Sequence, residues 1–206
     1  MPNMTAITSD PESFLKNNLL LIQYQAYESG YRNPGVKRFL LNKEDDFTCM
    51  RKGTGIISQF KEKTVDVWSI KSTNAQNANG WDCYWLPYDQ DFKHVVVLES
   101  DADVMLTPAM DGCSFGFTNH GGGVYSASHG NLQTPMGRID EAGLRQGMRF
   151  HKSTLHKSDY MNVPGQTDVK VTLVGVRKGN KWRFFYQQYL DQMGAFYLLN
   201  VRELKG

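Results

Sequence analysis

Residues 169–190 constrain the fold more than any other stretch of the chain. Two runs rich in β-branched and aromatic residues, VKVTLVGVRK and KWRFFYQQYL, are separated by Gly179 and Asn180. A two-residue connection of this composition suits the tight primed turn between antiparallel strands, because glycine and asparagine tolerate positive φ. The segment therefore predicts a β-hairpin, and with it a fold built around antiparallel strands.

The rest of the C-terminal half has the same character. CSFGFTN (113–119) and GVYSASH (123–129) alternate on either side of a run of glycines, which predicts a second hairpin. Further strands are predicted at HVVVLES, DVMLT and AFYLLNV, and a short helix over 140–148.

The N-terminal half begins with a predicted helix over 10–29. Asp10 and Pro11 suit a helix start, and apolar residues then recur at about helical spacing. RNPG (32–35) is read as a turn, VDVWSI (65–70) as a strand and NAQNANG (74–80) as a loop. The sum predicts a single α+β domain over residues 1–206.

Composition excludes several classes of function. The chain is 40% hydrophobic and 21% charged, with a net charge of +2 and no basic stripe, so direct nucleic-acid binding is not expected. Its longest apolar runs are too short to span a bilayer. Three cysteines without a CxxC spacing do not form a disulfide framework. The first residues show no signal-peptide pattern, so a cytoplasmic protein, or one exported without a cleavable signal, is expected.

The second hairpin brings together a thiol and an imidazole. If Cys113 begins one strand and His129 ends its partner, the two meet at the same end of the ladder, whereas His120 lies near the turn. A thiol attacks carbonyl carbon well as a thiolate, which a neighbouring base can produce. Cys113 and His129 are therefore predicted to be a nucleophile and its base.

Three further residues complete this predicted site. The small Gly112 leaves room for substrate, and backbone N–H groups at Gly112 and Ser114 are predicted to bind an oxyanion. Thr107, through its hydroxyl or carbonyl, is a candidate to orient His129, and Ser100 and Ser126 are weaker candidates.

The same residues also have ordinary structural interpretations. A single cysteine in an apolar strand is usually a small buried hydrophobe. The spacing of Cys113, His120 and His129 is not typical of zinc sites, so no metal or other cofactor is predicted. His151 and His156 are read as surface histidines, and the aromatic cluster Trp81, Tyr84, Trp85 and Tyr88 as packing.

The sequence LTPAMDGC, followed by a glycine turn and a strand ending in SASHG, resembles the Cys–His glutamine deamidases. That family includes the cytotoxic necrotizing factors, the Burkholderia lethal factor and the chemotaxis-receptor deamidases. In it a short strand leads to a small residue, Gly and Cys, and a histidine follows on the next strand. Here Asp111 replaces the usual Ser or Thr, and Thr107 stands where the lethal-factor branch uses a Thr.

The resemblance covers residues 100–131 and implies both a fold and a function. It implies a β-sandwich of mixed, largely antiparallel sheets flanked by helices. It also implies a monomeric virulence toxin that hydrolyses a glutamine side-chain amide in a host protein. The implied targets are Rho-type GTPases or a DEAD-box helicase of translation initiation. Two alternatives stay open: a cysteine peptidase or transglutaminase using the same thiol, and a β-sandwich binding module in which Cys113 is inert.

Overall fold

The chain folds mainly into β-strands. The computed structural model describes residues 4–22, 31–51, 63–73, 79–192 and 195–206. The N-terminal half contains α1 (Met4–Ser9), α2 (Pro11–Asn17), β1 (Asn18–Ile22), β2 (Gly35–Lys43), β3 (Thr48–Arg51), β4 (Lys63–Ser72), β5 (Trp81–Trp85) and β6 (Phe92–Leu98). The C-terminal half contains β7 (Val104–Leu106), β8 (Ser114–Gly121), β9 (Val124–Asn131), α3 (Glu141–Met148), β10 (Ser153–Leu155), α4 (Lys157–Met161), β11 (Lys170–Lys178), β12 (Lys181–Gln192) and β13 (Ala195–Leu204).

Eight of the strands close into a barrel, in the order β4-β2-β5-β7-β11-β12-β13-β3, because β3 pairs with both β13 and β4. β1 adds to this barrel in parallel on β4, and a separate sheet has the order β10-β8-β9-β6. The described residues are 55% strand and 15% helix. The expected α+β sandwich flanked by helices is therefore wrong: closure through β3 removes the open edges that a sandwich sheet would keep.

Both predicted hairpins are confirmed. β11 and β12 pair from Lys170↔Tyr189 to Lys178↔Lys181, and Gly179 takes a φ of 60° in the turn between them. β8 and β9 pair across the glycine turn, with Ser114 opposite Gly130. The short helix predicted at 140–148 is α3, which Asp140 caps by accepting a hydrogen bond from the Gly143 N–H.

The N-terminal helix is shorter than predicted. Asp10 caps α2 as expected, accepting from the Ser13 N–H at 3.0 Å, but the helix ends at Asn17. The apolar run that follows forms β1 instead, pairing Leu19–Ile22 with β4, because a short run buried on both faces suits a strand as well as a helix. Residues 23–29 of the predicted helix lie outside the described residues, as do 74–78 of the predicted loop.

The four-stranded sheet packs on the outside of the barrel. Its inner face contributes Phe115, Phe117 and Ala127 to one buried cluster, which also contains Leu173 and Phe184 from β11 and β12. Alternate residues of those barrel strands belong to a second cluster, together with residues of α1, α2 and β1. β11 and β12 are thus buried on both faces, which accounts for their nearly unbroken apolar sequence.

Helices account for little of this architecture. α3 is the longest described helix at eight residues, and it lies against β8 and β9. None of the helices in the described part of the chain has the length and apolarity needed to cross a membrane.

Candidate active site

The candidate site lies where two parallel barrel strands end. β5 and β7 pair in parallel, so Leu86 and Thr107 follow them at the same edge. The Leu86 N–H donates to the Leu106 carbonyl at 2.9 Å, and the Thr107 hydroxyl donates back to the Leu86 carbonyl at 2.8 Å. Backbone pairing therefore fixes the position of the Thr107 side chain.

Thr107 contacts the histidine that the sequence analysis selected. Its Oγ1 lies 2.6 Å from Nδ1 of His129, and both residues are fully buried. A threonine hydroxyl has one proton, which is already donated to the Leu86 carbonyl, so Oγ1 must accept from His129. Nδ1 therefore carries the imidazole proton, and Nε2 is the bare, basic nitrogen. Of the three candidates that the sequence left open, Thr107 is the one that the structure places against Nδ1 of His129.

Nε2 of His129 is a buried polar atom without a hydrogen-bond partner among the described residues. Burial, with a contribution from the charge of neighbouring His94, lowers the pKa of His129 to about 3. The imidazole is therefore neutral at physiological pH. A neutral, unpartnered nitrogen is available to accept a proton from whatever reaches it.

Cys113 directly precedes β8, and it is a diagonal neighbour of His129 in the register of the β8–β9 ladder. His129 pairs directly with Phe115, and Cys113 is two residues ahead of Phe115. Cys113 and Phe115 belong to the same buried cluster, so both side chains point to the barrel side of the sheet. Residues related diagonally in this way have Cα atoms about 7–8 Å apart, within reach of long side chains. The register thus places the Cys113 and His129 side chains on one face of the sheet, and their pairing as nucleophile and base stays a prediction.

The Cys113 thiol is recessed and protonated in this structure. Its exposed fraction is 4%. Burial first, and the Asp111 carboxylate second, raise its pKa to about 12, although its own backbone N–H acts in the opposite direction. A preformed thiolate is therefore absent at neutral pH.

Gly112 lacks the open space that was expected beside it, whereas the predicted role of the Ser114 N–H stays a prediction. A Cβ on Gly112 would lie 2.7 Å from Cγ1 of Ile139, so the space beside this glycine is filled by protein and is not open to substrate. Ser114 pairs with Gly130, and its hydroxyl contacts Nδ1 of buried His156 at 2.8 Å. The backbone N–H of Cys113 points at the sulfur of the same residue.

Several residues of the site were not selected from the sequence. The Tyr88 ring stacks on the His129 imidazole, with centroids 5.7 Å apart and planes at 23°. The Tyr160 hydroxyl donates to the Cys113 carbonyl at 3.0 Å. His94 is directly opposite His129 in the sheet, and its Nε2 donates to Asp89 at 2.8 Å. Tyr88 belongs to an aromatic cluster that is recognisable in the sequence, whereas no sequence pattern distinguishes Tyr160 or His94.

The remaining histidines serve other contacts. His120 lies exposed at the turn end of the hairpin and bonds to Ser126, as its position in the sequence suggested. The interpretation of His156 as a surface residue is wrong, because it is buried against Ser114. His151 is half-buried on the outer face of the small sheet, 2.7 Å from the Ser128 hydroxyl.

The chemistry open to this site follows from its residues. Cys49, Cys83 and Cys113 are all free and buried. Within the described ranges, no group of three or more His, Cys, Asp and Glu side chains is placed to hold a metal ion.

The sequence matches no protein-family model and no curated protein. Any functional conclusion therefore depends on the geometry of Cys113, His129 and Thr107.

Proposed function

We propose that this protein is a cysteine-dependent amidohydrolase that converts a glutamine side chain of a target protein into glutamate. The observation that supports this most strongly is the state of His129. Thr107 holds its proton on Nδ1, which leaves Nε2 as an unpartnered base on the face of the sheet that carries Cys113. Five buried side-chain polar atoms of the described residues have no hydrogen-bond partner, and Nε2 of His129 is the one among them that is basic enough to take up a proton.

The proposed reaction uses His129 as both base and acid. Nε2 takes the thiol proton while Sγ of Cys113 bonds to the carboxamide carbon, and the Cys113 N–H stabilises the oxyanion. The imidazolium then gives its proton to the leaving nitrogen, the C–N bond breaks, and ammonia departs. Water, deprotonated by Nε2, cleaves the thioester and restores the thiol.

Burial of the pair favours a side-chain amide over a peptide bond as substrate. Cys113 is 4% exposed and His129 is fully buried. A peptidase needs a cleft wide enough to lay an extended backbone across the thiol. A carboxamide at the end of a flexible glutamine stem can enter a narrower opening. The buried pair is therefore better suited to deamidation, or to transfer of the acyl group to an amine, than to proteolysis.

The family resemblance supplies targets for the test. A Rho-type GTPase and a DEAD-box helicase of translation initiation are the first purified substrates to try, and an extract of eukaryotic cells extends the search. Mass spectrometry is the readout, because each deamidation adds about one dalton without cutting the chain.

We expect wild-type protein to produce such a shift at specific glutamines, while Cys113→Ser and His129→Ala do not. Removal of either member of a catalytic pair typically costs several orders of magnitude in rate. His120→Ala is the matched control, because this imidazole is at the opposite end of the same hairpin. Full activity in Cys113→Ser would exclude the proposal, and cleaved target chains would favour the peptidase.

A further inference from the structure

The residue that faces the base most directly is Tyr88, whose ring is nearly parallel to the His129 imidazole. It packs at the margin of the buried cluster that contains Cys113. Burial, and then the charges of Cys113 and Asp111, raise the pKa of the Tyr88 hydroxyl. The phenol is thus close to both the thiol and the imidazole, and it is half-buried while they are buried.

Hydrogen bonds hold the turn that carries Tyr88, and one of them comes from the Thr107 hydroxyl, which also contacts His129. At one end of the turn, Leu86 accepts the Thr107 hydroxyl proton. Next to Tyr88, the Asp89 carboxylate accepts from Nε2 of His94 at 2.8 Å. At the other end, Asp91 accepts from the Gln133 N–H at 2.8 Å. The ring is therefore held against His129 by bonds on both sides of it.

Each side of the imidazole then has an identified neighbour. His129 pairs with Phe115 on β8 and with His94 on β6, and Thr107 binds its Nδ1. The charged or titratable groups around the two residues are His94 and Asp89, Asp111 beside Cys113, and Tyr160, whose hydroxyl donates to the Cys113 carbonyl. Tyr88 covers the ring face between these contacts and the surface.

We infer that Tyr88 is a positioning residue of this site: its ring covers one face of the His129 imidazole, holding the base in the plane set by Thr107 and excluding water from it. The importance of Tyr88 for catalysis rests on the proposed function. The aromatic ring carries the effect, because it supplies the surface that stacks on the imidazole. Loss of the ring admits water to the imidazole and favours its protonated form.

The test follows the titration of His129 by NMR in protein with isotope-labelled histidine, between about pH 2 and pH 8. The signal is assigned from its absence in His129→Gln. Tyr88→Ala should raise the midpoint by at least about one pH unit, and Tyr88→Phe should leave it unchanged. Alkylation of Cys113 by iodoacetamide should accelerate roughly tenfold or more in the alanine variant only, since a covered thiol becomes accessible.

Phe92 offers a matched control. Its ring lies 4.7 Å from that of the neighbouring His94 and is 54% exposed, so Phe92→Ala removes a comparable aromatic–histidine contact one strand away. It should change neither the His129 midpoint nor Cys113 labelling. Tyr88→Ser provides a second truncation in case the alanine variant does not fold.

An unchanged His129 midpoint in both folded truncations, or an equal rise in Phe92→Ala, would overturn the inference. A midpoint that rises equally in Tyr88→Phe would also overturn it, because the hydroxyl would then be the active group. These measurements use no amide substrate. A failure of deamidation and a failure of Tyr88 to shield His129 are therefore separate results.

Discussion

At the scale of single residues, one hydroxyl proton determines which nitrogen of His129 is basic. The Thr107 proton goes to the Leu86 carbonyl at 2.8 Å, and only then can Oγ1 accept from Nδ1 at 2.6 Å. An imidazole in the other tautomer would present an N–H to the thiol and could not take its proton.

Thr107→Val, which keeps the side-chain shape but removes the hydroxyl, should therefore lower the deamidation rate roughly ten- to a hundredfold. This corresponds to the loss of about 1–3 kcal/mol from one buried hydrogen bond. Thr107→Ser keeps the hydroxyl and should stay within a few-fold of wild type. The rate is measured from the fraction of deamidated target over time. Equal rates in the valine variant and wild type would show that Thr107 does not control His129.

The sequence was sufficient to select the site residues that depend on local pattern. Cys113 and His129 could be related because both lie on one hairpin, where strand length and turn position fix the register. The role of Thr107 stayed open, because its contact with His129 depends on the pairing of β5 with β7. Tyr160 reaches the Cys113 carbonyl from 47 residues along the chain, and no local signal predicts such a contact.

At the scale of elements, hairpins were predictable and the boundary between helix and strand was not. The β11–β12 hairpin carries its own signals: alternating apolar residues and a turn that needs positive φ at Gly179. The run at Asn18–Ile22 carries none, because a short apolar segment buried on all sides suits a strand or a helix equally. This run forms a strand because it pairs with β4, which is about 48 residues away in the sequence.

At the scale of the whole molecule, the closed barrel depends on a four-residue strand. β3 bridges β13 and β4, and such a short pairing across most of the chain leaves no periodic signal in the sequence. The barrel also explains why Cys113 is so deeply buried: it lies in the apolar cluster between the small sheet and strands β11 and β12.

The burial of His129 makes the stability of the whole fold sensitive to acid. The pKa of His129 in the folded protein is about 3, below the ordinary value of 6.5, so the unfolded chain binds more protons between these values. The contribution to stability is fully present above about pH 6.5 and is lost as the pH falls toward the folded pKa. Burial lowers the pKa of His151 and His156 in the same direction.

The urea concentration at the midpoint of unfolding should therefore decrease between about pH 7 and pH 4. The corresponding loss in the free energy of unfolding is on the order of a few kcal/mol. His129→Gln should flatten this dependence, whereas the exposed His120→Gln should follow the wild-type curve. A pH dependence that is the same in all three proteins would mean that His129 is protonated, or accessible to protons, in the folded state.

The central claim is that Cys113 attacks the side-chain carbonyl of glutamine with His129 as its base. The most direct measurement uses a peptide in which a chloromethyl ketone replaces the carboxamide of glutamine. As the thiol proton passes to Nε2, Sγ displaces chloride and forms a stable thioether. Mass spectrometry of the digested protein should find the adduct on Cys113 and not on Cys49 or Cys83, with formation at least roughly a hundredfold slower in His129→Gln. No adduct on Cys113 in the folded wild-type protein, or equally fast labelling without His129, would contradict the account.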